Sequence, residues 1–314
     1  MNKKFALIGA AGFVAPRHMQ AIRDTGNKLI CALDPHDSVG IIDSFAPSAD
    51  FFTEFERFER HVNKLDRKGM KVDYVSVCTP NYFHDSHIRF GLRNQADVIC
   101  EKPLVLNPWN VDALQEIESE SGKRIFNILQ LRLHPAIIEL KKRVDSAEST
   151  FKDDVDLTYV TSRGQWYLFS WKGDVQKSGG IATNIGIHFF DMLSYVFGPV
   201  QENIVHISEP TKSAGYIEFG KARVRWFLSV DSDDLPQSAV ESGQSTYRSI
   251  KIGGEEIEFS GGFTDLHTRC YEEILIGNGH GLADARSSVE IAYAIRNQKP
   301  AGLKGEFHPF LKKI

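Results

Sequence analysis

The feature that most constrains this chain is the rhythm of its first part, where short apolar runs alternate with amphipathic stretches. Lys4–Ile8, Lys28–Leu33, Val72–Cys78, Asp97–Cys100 and Arg124–Leu129 have the length and apolar content of buried strands. Between them the pattern predicts a helix running to about Thr25 and helices over Phe55–Lys68, Asp85–Asn94 and Asn107–Ser121, the last with Pro108 in its first turn. Alternation of this kind builds a parallel sheet with right-handed crossovers. Beyond about residue 130 the rhythm changes. Helices are predicted over His134–Val144, Gly180–Phe197, Leu266–Ile276 and Ala283–Arg296. Strands are predicted over Val155–Ser162, Asn203–Ser208, Ala214–Phe219, Ala222–Val230, Thr246–Ile252 and Glu255–Phe259, with a hairpin in KIGGEEIEF turning at Gly253–Gly254. Consecutive strands with short turns make a largely antiparallel sheet. The expected fold class is therefore α/β, with a parallel domain over residues 1–125 and a second α/β domain over 126–314.

Size and charge agree with this division. A chain of 314 residues is too long for one compact core. Its 42% apolar and 25% charged residues are ordinary for a globular protein. The net charge is −4, the sequence pI is about 6.3, and no long Lys/Arg run occurs, so neither nucleic acid nor a membrane surface is an expected partner. No apolar run approaches a membrane span, and the N-terminus enters a strand directly, which argues against a signal peptide. The expected compartment is a bacterial-type cytoplasm. Cys31, Cys78, Cys100 and Cys270 are scattered, form no CxxC pair, and read as buried thiols, so no metal is expected.

The first strand runs into IGAAGFVAPRH and then a helix. Small residues at such a turn let the backbone approach a pyrophosphate, and the helix N-terminus offers N–H donors and a positive dipole end. The usual glycine spacing is broken: positions 9, 11 and 14 are Gly9, Ala11 and Val14, with an extra Gly12. Gly9, Gly12, Phe13 and Val14 are the cofactor candidates here. Asp34 ends the second strand at close to the offset where a carboxylate accepts from ribose hydroxyls and repels a 2′-phosphate, which favours NAD over NADP. The plainer alternative is that Asp34 opens a turn with Pro35.

Three further stretches carry more. They are VSVCTPNYFH (75–84), CEKPLVLN (100–107) and SGGIATNIGIHFFD (178–191). In this order and spacing the chain resembles the Gfo/Idh/MocA oxidoreductases, over nearly its whole length. The resemblance implies an N-terminal NAD-binding Rossmann domain and a C-terminal α/β domain on an open, mostly antiparallel sheet whose outer face usually carries the oligomer contact. GAAGFVAPRH, QLRLHP (130–135), RGQWYLFSWKGD (163–174) and NIGIH (184–188) are similar to one branch, the WlbA/WbpB type. Such enzymes oxidise the 3-hydroxyl of UDP-N-acetylglucosaminuronic acid, on the way to diamino sugars of bacterial O-antigen lipopolysaccharide. Other branches carry Asp where this chain has Asn184, so no Asp–His pair is carried over. The resemblance also implies a homotetramer and, in some members, 2-oxoglutarate as the oxidant that regenerates NAD; the motifs leave open whether NADH is released instead.

Alcohol oxidation needs a base for the hydroxyl proton and a hydride acceptor. Lys102 follows a strand at the ligand-binding edge of the parallel sheet. His188 lies on a helix whose 100° wheel groups Asn184, His188, Asp191 and Tyr195 in one stripe. The resemblance makes Lys102 and His188 catalytic. His188 is the favoured base and Lys102 the contact that orients the hydroxyl; the reverse assignment stays open, as does whether Asp191 orients His188 or caps local structure. Thr79, Pro80, Asn81, His84 and Glu101 are expected to line the nicotinamide side with Lys102. A doubly anionic substrate in an acidic protein calls for local cations. Arg163, Lys172 and Lys177, with Trp166, Tyr167, Asn184 and His188, are the substrate candidates, and Arg132 is placed near cofactor or substrate. The alternatives are another sugar or polyol dehydrogenase of the family, or a non-catalytic NAD-binding regulator.

Overall fold

A computed structural model describes residues 2–147, 151–257 and 265–313. The first sheet is built from β1 (Lys4–Ile8), β2 (Lys28–Leu33), β3 (Asp50–Phe52), β4 (Tyr74–Val77), β5 (Asp97–Cys100) and β6 (Ile125–Asn127). Its order is β3-β2-β1-β4-β5-β6, and every neighbouring pair is parallel. The central strands β1, β4 and β5 are almost wholly buried, as apolar strands covered by helices on both faces must be. The order reverses between β1 and β4, so their carboxyl ends form the switch point where ligands of such sheets bind. The short edge strand β3 was not expected: three partly exposed residues carry no periodic signal.

The second sheet is built from β7 (Asp153–Thr161), β8 (Val200–Ser208), β9 (Lys212–Phe219), β10 (Ala222–Ser229), β11 (Thr246–Ile252) and β12 (Glu255–Glu256). Its order is β12-β11-β7-β10-β9-β8, antiparallel throughout except for the central β7–β10 pair. The expected mostly antiparallel sheet is thus present. Of the predicted last strand, Glu258 and Phe259 lie outside the described residues. One face packs its alternating apolar residues, among them Val155, Leu157, Ile217, Val224, Trp226 and Ile250, against helices Pro135–Ser146 and Ile187–Phe197. The opposite face, where the resemblance places an oligomer contact, carries part of the C-terminal segment: Phe307, Phe310 and Leu311 pack on Val160, Ala214 and Phe227.

The chain forms two compact units, residues 1–130 with 264–286 and residues 131–263 with 287–314. The expected boundary gave all of 126–314 to the second domain, so residues 264–286 are a correction. Their helix, Leu266–Leu275, buries Leu266, Tyr271 and Ile274, and the Tyr271 ring stacks on Phe5 of β1 at 5.8 Å. The apolar face of this helix therefore completes the first core. The backbone N–H of Asn127 in β6 then donates to the His280 carbonyl at 2.9 Å.

The second core has one close fit that its sequence does not advertise. Trp226 on β10 pairs in register with Gly215 on β9 and meets Phe190 edge-on at 5.3 Å. A Cβ at Gly215 would lie 2.7 Å from the indole and 2.3 Å from the Ile204 carbonyl oxygen. Gly215→Ala is expected to cost about 1–3 kcal/mol through overpacking. A urea titration showing wild-type stability would contradict this fit.

Candidate active site

The turn after β1 is held by backbone contact. Gly9 has φ +94°, and a Cβ there would lie 2.7 Å from the Cys78 carbonyl carbon and 2.8 Å from the Thr79 nitrogen. Only glycine lets the ends of β1 and β4 approach so closely. Gly12 follows, with its N–H on the Gly9 carbonyl, and Val14 precedes helix Ala15–Asp24, whose N-terminus has no side-chain cap. Phe13 is 86% exposed there. The buried Asp34 carboxylate closes the same loop, accepting from the Ala11 N–H and the His36 N–H at 2.9 Å each. The glycine turn and the carboxylate thus form one structure, and Asp34 both opens the turn after β2 and faces the loop.

The residues after β4 and β5 are tied together by His84. Its Nδ1 lies 2.6 Å from the Pro103 carbonyl oxygen and its Nε2 2.8 Å from the Thr79 carbonyl oxygen. Two carbonyl acceptors call for N–H at both ring nitrogens. Burial pushes the His84 pKa down, while these contacts and the Glu101 carboxylate favour the imidazolium. His84 was expected to line the nicotinamide side; it is buried and holds the two loops that carry Thr79–Pro80 and Lys102–Pro103. The Thr79 hydroxyl pairs with His87 Nδ1 at 3.0 Å. Asn81 and Glu101 are buried, and Lys102 is half-buried.

Sequence reasoning missed the neighbours of Glu101. Its Oε1 accepts from Nε2 of both His18 and His267, at 2.9 Å each. His18 lies within the quoted GAAGFVAPRH run, and His267 and Tyr271 are one turn apart on a helix assigned to the other domain. No local pattern links positions so far apart in the chain.

In the second unit the helix before His188 is irregular. Residues Ala182–Gly186 form a π turn, and regular α geometry begins at Ile187. The expected uniform wheel from Gly180 therefore holds only from His188 onward. Such wide turns are frequent where a helix presents functional groups. The Asn184 amide donates to the Tyr167 hydroxyl at 2.8 Å, both groups being buried. Burial raises the Tyr167 pKa, so the phenol stays neutral. Lys172 sits over the Trp171 ring at 4.6 Å and the Trp166 ring at 5.4 Å. Burial and then the Arg163 charge lower the Lys172 pKa. Arg163, Trp166, Tyr167, Lys172 and Asn184 therefore gather as one group, with Lys177 instead 3.6 Å from Asp174 on an exposed turn. A further cation, Arg248 of β11, lies over the Tyr159 ring at 5.3 Å, and that ring meets Phe189 beside His188; strand periodicity alone gave it no role.

Asp191 is committed to Arg132. The guanidinium forks onto it, Nε to Oδ2 at 3.0 Å and Nη2 to Oδ1 at 2.7 Å, and stacks over Tyr195 at 4.9 Å. Both groups are buried.

Residues 3–128 match the model described as "Oxidoreductase family, NAD-binding Rossmann fold", and residues 151–234 match "Oxidoreductase family, C-terminal alpha/beta domain". The chain belongs to the Gfo/Idh/MocA oxidoreductase family. Its first domain is accordingly the family's NAD-binding Rossmann domain. The solved WlbA (WbpB) dehydrogenase of Thermus thermophilus in complex with NAD and alpha-ketoglutarate is 48% identical, with TM-score 0.95, covering 98% of this chain and 99% of that one. The same Thermus enzyme solved with NAD and UDP-GlcNAcA matches at 47% identity and TM-score 0.94, with the same coverage. The WlbA dehydrogenase of Bordetella pertussis shares the fold at 18% identity and TM-score 0.75, covering 94% of each chain. Among curated relatives, the inositol 2-dehydrogenase of Rhizobium meliloti is 24% identical over 63% of this chain and 56% of its own length. The chain spans about half the length, or less, of the curated relatives it matches. No helix among the described residues is long and apolar enough to cross a membrane.

The Arg132–Asp191 pair makes a stability prediction. Asp191→Ala strands a buried guanidinium and is expected to cost about 3–5 kcal/mol, much of it recovered by the double replacement Arg132→Met with Asp191→Leu. Urea midpoints that left Asp191→Ala within experimental error of wild type would refute the buried pair.

Proposed function

We propose that this chain oxidises the 3-hydroxyl of UDP-N-acetylglucosaminuronic acid to the 3-keto sugar, with NAD as hydride acceptor. The observation that carries the reading is the near-complete match to a WlbA structure holding NAD and UDP-GlcNAcA, in a chain that has Lys102, His188 and the Tyr167–Asn184 pair. The residues fit the dinucleotide. Gly9 and Gly12 clear the backbone for a pyrophosphate, the uncapped helix N-terminus with Phe13 and Val14 faces that turn, and Asp34 offers acceptors for ribose hydroxyls while repelling a 2′-phosphate. Thr79, Pro80, Asn81, Glu101 and Lys102 surround the nicotinamide end, on loops that His84 ties together.

Bound NAD supplies the hydride acceptor. His188 takes the hydroxyl proton, its ordinary pKa being near neutrality. Lys102 contacts the same oxygen and offsets the charge that develops there. Arg163 and Lys172 meet the pyrophosphate and uronate charges, and Trp166 and Tyr167 pack on sugar or base. Lys172, held between two indoles, is already partly desolvated for an anion. The matching Thermus structure with alpha-ketoglutarate supports 2-oxoglutarate as the oxidant that regenerates NAD in place. The setting we propose is cytoplasmic synthesis of diamino sugars for O-antigen lipopolysaccharide, by a homotetramer.

A denaturing extract of the purified protein is expected to release NAD(H), and turnover of the UDP-uronate is expected to be sustained by 2-oxoglutarate. Lys102→Ala and His188→Ala are each expected to lower turnover at least about 100-fold without unfolding the protein. Steady NAD reduction by free sugars with none by the UDP-uronate would overturn the substrate; near-normal turnover in both variants would overturn the site.

A further inference from the structure

Five polar side chains are buried together beneath the turn that carries Lys102. His18 comes from helix Ala15–Asp24, Ser76 from β4, Glu101 from the end of β5, and His267 and Tyr271 from helix Leu266–Leu275. Oε1 of Glu101 accepts from Nε2 of His18 and of His267, and Oε2 accepts the backbone N–H of Lys102 at 3.2 Å. With its Nε2 donating, a neutral His18 has only a lone pair at Nδ1, and the Tyr271 hydroxyl, 2.8 Å away, donates to it. The Ser76 hydroxyl, 2.7 Å from the Tyr271 oxygen, donates in turn. This arrangement of protons satisfies every contact, and in it Glu101 is ionised, with donors facing both of its oxygens.

The surrounding groups leave that charge standing. Burial alone would raise the Glu101 carboxyl, but the hydrogen bonds from His18 and His267 hold it well below the usual range. Burial pushes the Cys78, Cys100, Cys270 and Tyr271 groups up, and the Glu101 charge pushes them further, so none shares it. Burial pushes His18 down. His84, on the adjoining loops, senses both the Glu101 carboxylate and the Lys102 ammonium.

We propose that this network positions Lys102: two imidazoles fix Glu101 as a permanent anion, one carboxylate oxygen holds the Lys102 backbone, and the charge keeps its side chain a cation. Lys102 then serves as a fixed donor to the substrate hydroxyl, and the proton goes to another residue. The proposal rests on the reading of Lys102 as a hydroxyl contact. His18, Glu101 and His267 also have the make-up of a metal site, their donor atoms lying within 4.8 Å of one another. A metal would need bare lone pairs at both Nε2 atoms, whereas the hydrogen-bonded arrangement above puts an N–H on each.

Kinetics of the NAD-loaded enzyme with the UDP-uronate test this. Glu101→Gln is expected to lower kcat about 100-fold with little change in KM. Removing the anion from the residue that precedes Lys102 favours the neutral amine, so the alkaline limb of the pH profile is expected to move toward acid, by up to about one unit. His267→Gln, which keeps an N–H donor, is expected to recover most of the turnover that His267→Leu loses. A wild-type kcat and an unmoved alkaline limb in Glu101→Gln overturn the proposal. So does a stoichiometric transition metal in the purified enzyme that Glu101→Gln abolishes. If Glu101→Gln does not fold, equal losses in the two His267 variants overturn it. Lys102→Ala separates the two readings: near-normal turnover there removes Lys102 from the reaction, whereas an inactive Lys102→Ala beside an unaltered Glu101→Gln removes only the network.

Discussion

A carboxylate taken out of water is costly unless hydrogen bonds replace its hydration, and Glu101 places that demand at the centre of the first unit. Three of its acceptor positions are filled from three parts of the chain: His18 on the first helix, the Lys102 backbone, and His267 from a helix more than 160 residues downstream. This requirement explains why residues 264–286 belong to the first unit although the strands of the second sheet precede them. That helix brings Leu266 and Ile274 as apolar cover and His267 and Tyr271 as partners for the charge. Packing and polar satisfaction thus ask for the same segment.

The second unit meets a similar demand differently. Arg132 and Asp191 neutralise each other in a two-pronged pair, and Tyr195 stacks on the guanidinium. A buried pair of this kind adds little net stability over apolar residues but is costly to break. It fixes the azimuth of helix Ile187–Phe197, since Asp191 and Tyr195 lie on the same stripe as His188. The π turn at Ala182–Gly186 then lets Asn184 leave that stripe and reach Tyr167.

Much of this was legible in the sequence. Strand–helix alternation gave the parallel sheet, and consecutive strands gave the mostly antiparallel one, because both signals are local. Gly9 and Asp34 could be singled out from their places at strand ends, and Lys102 and His188 from motifs that the resemblance carries. The polar partners were not found. His84 looked like a cleft residue, since nothing nearby shows that two carbonyls wait for its ring. His18, His267 and Tyr271 carry no shared periodicity, and only the folded chain brings them to Glu101. The spacing left open whether Asp191 orients His188 or caps local structure; its ion pair with Arg132, 59 positions away, has no local signal. The β3 strand failed for a different reason: an edge strand of three residues needs no apolar run.

The replacement of a carboxylate by Asn184 takes on a physical sense in this setting. A carboxylate at 184 would lie in a buried position, beside a phenol whose burial already opposes ionisation. The amide instead donates to the Tyr167 oxygen without adding charge. That leaves Arg163 and Lys172 with no internal anion at 184 to neutralise them, and burial, followed by the Arg163 charge, lowers the Lys172 pKa. An uncharged residue at 184 therefore suits a doubly anionic sugar nucleotide better than a neutral sugar, for which an acidic partner on the histidine helix would carry no such electrostatic penalty.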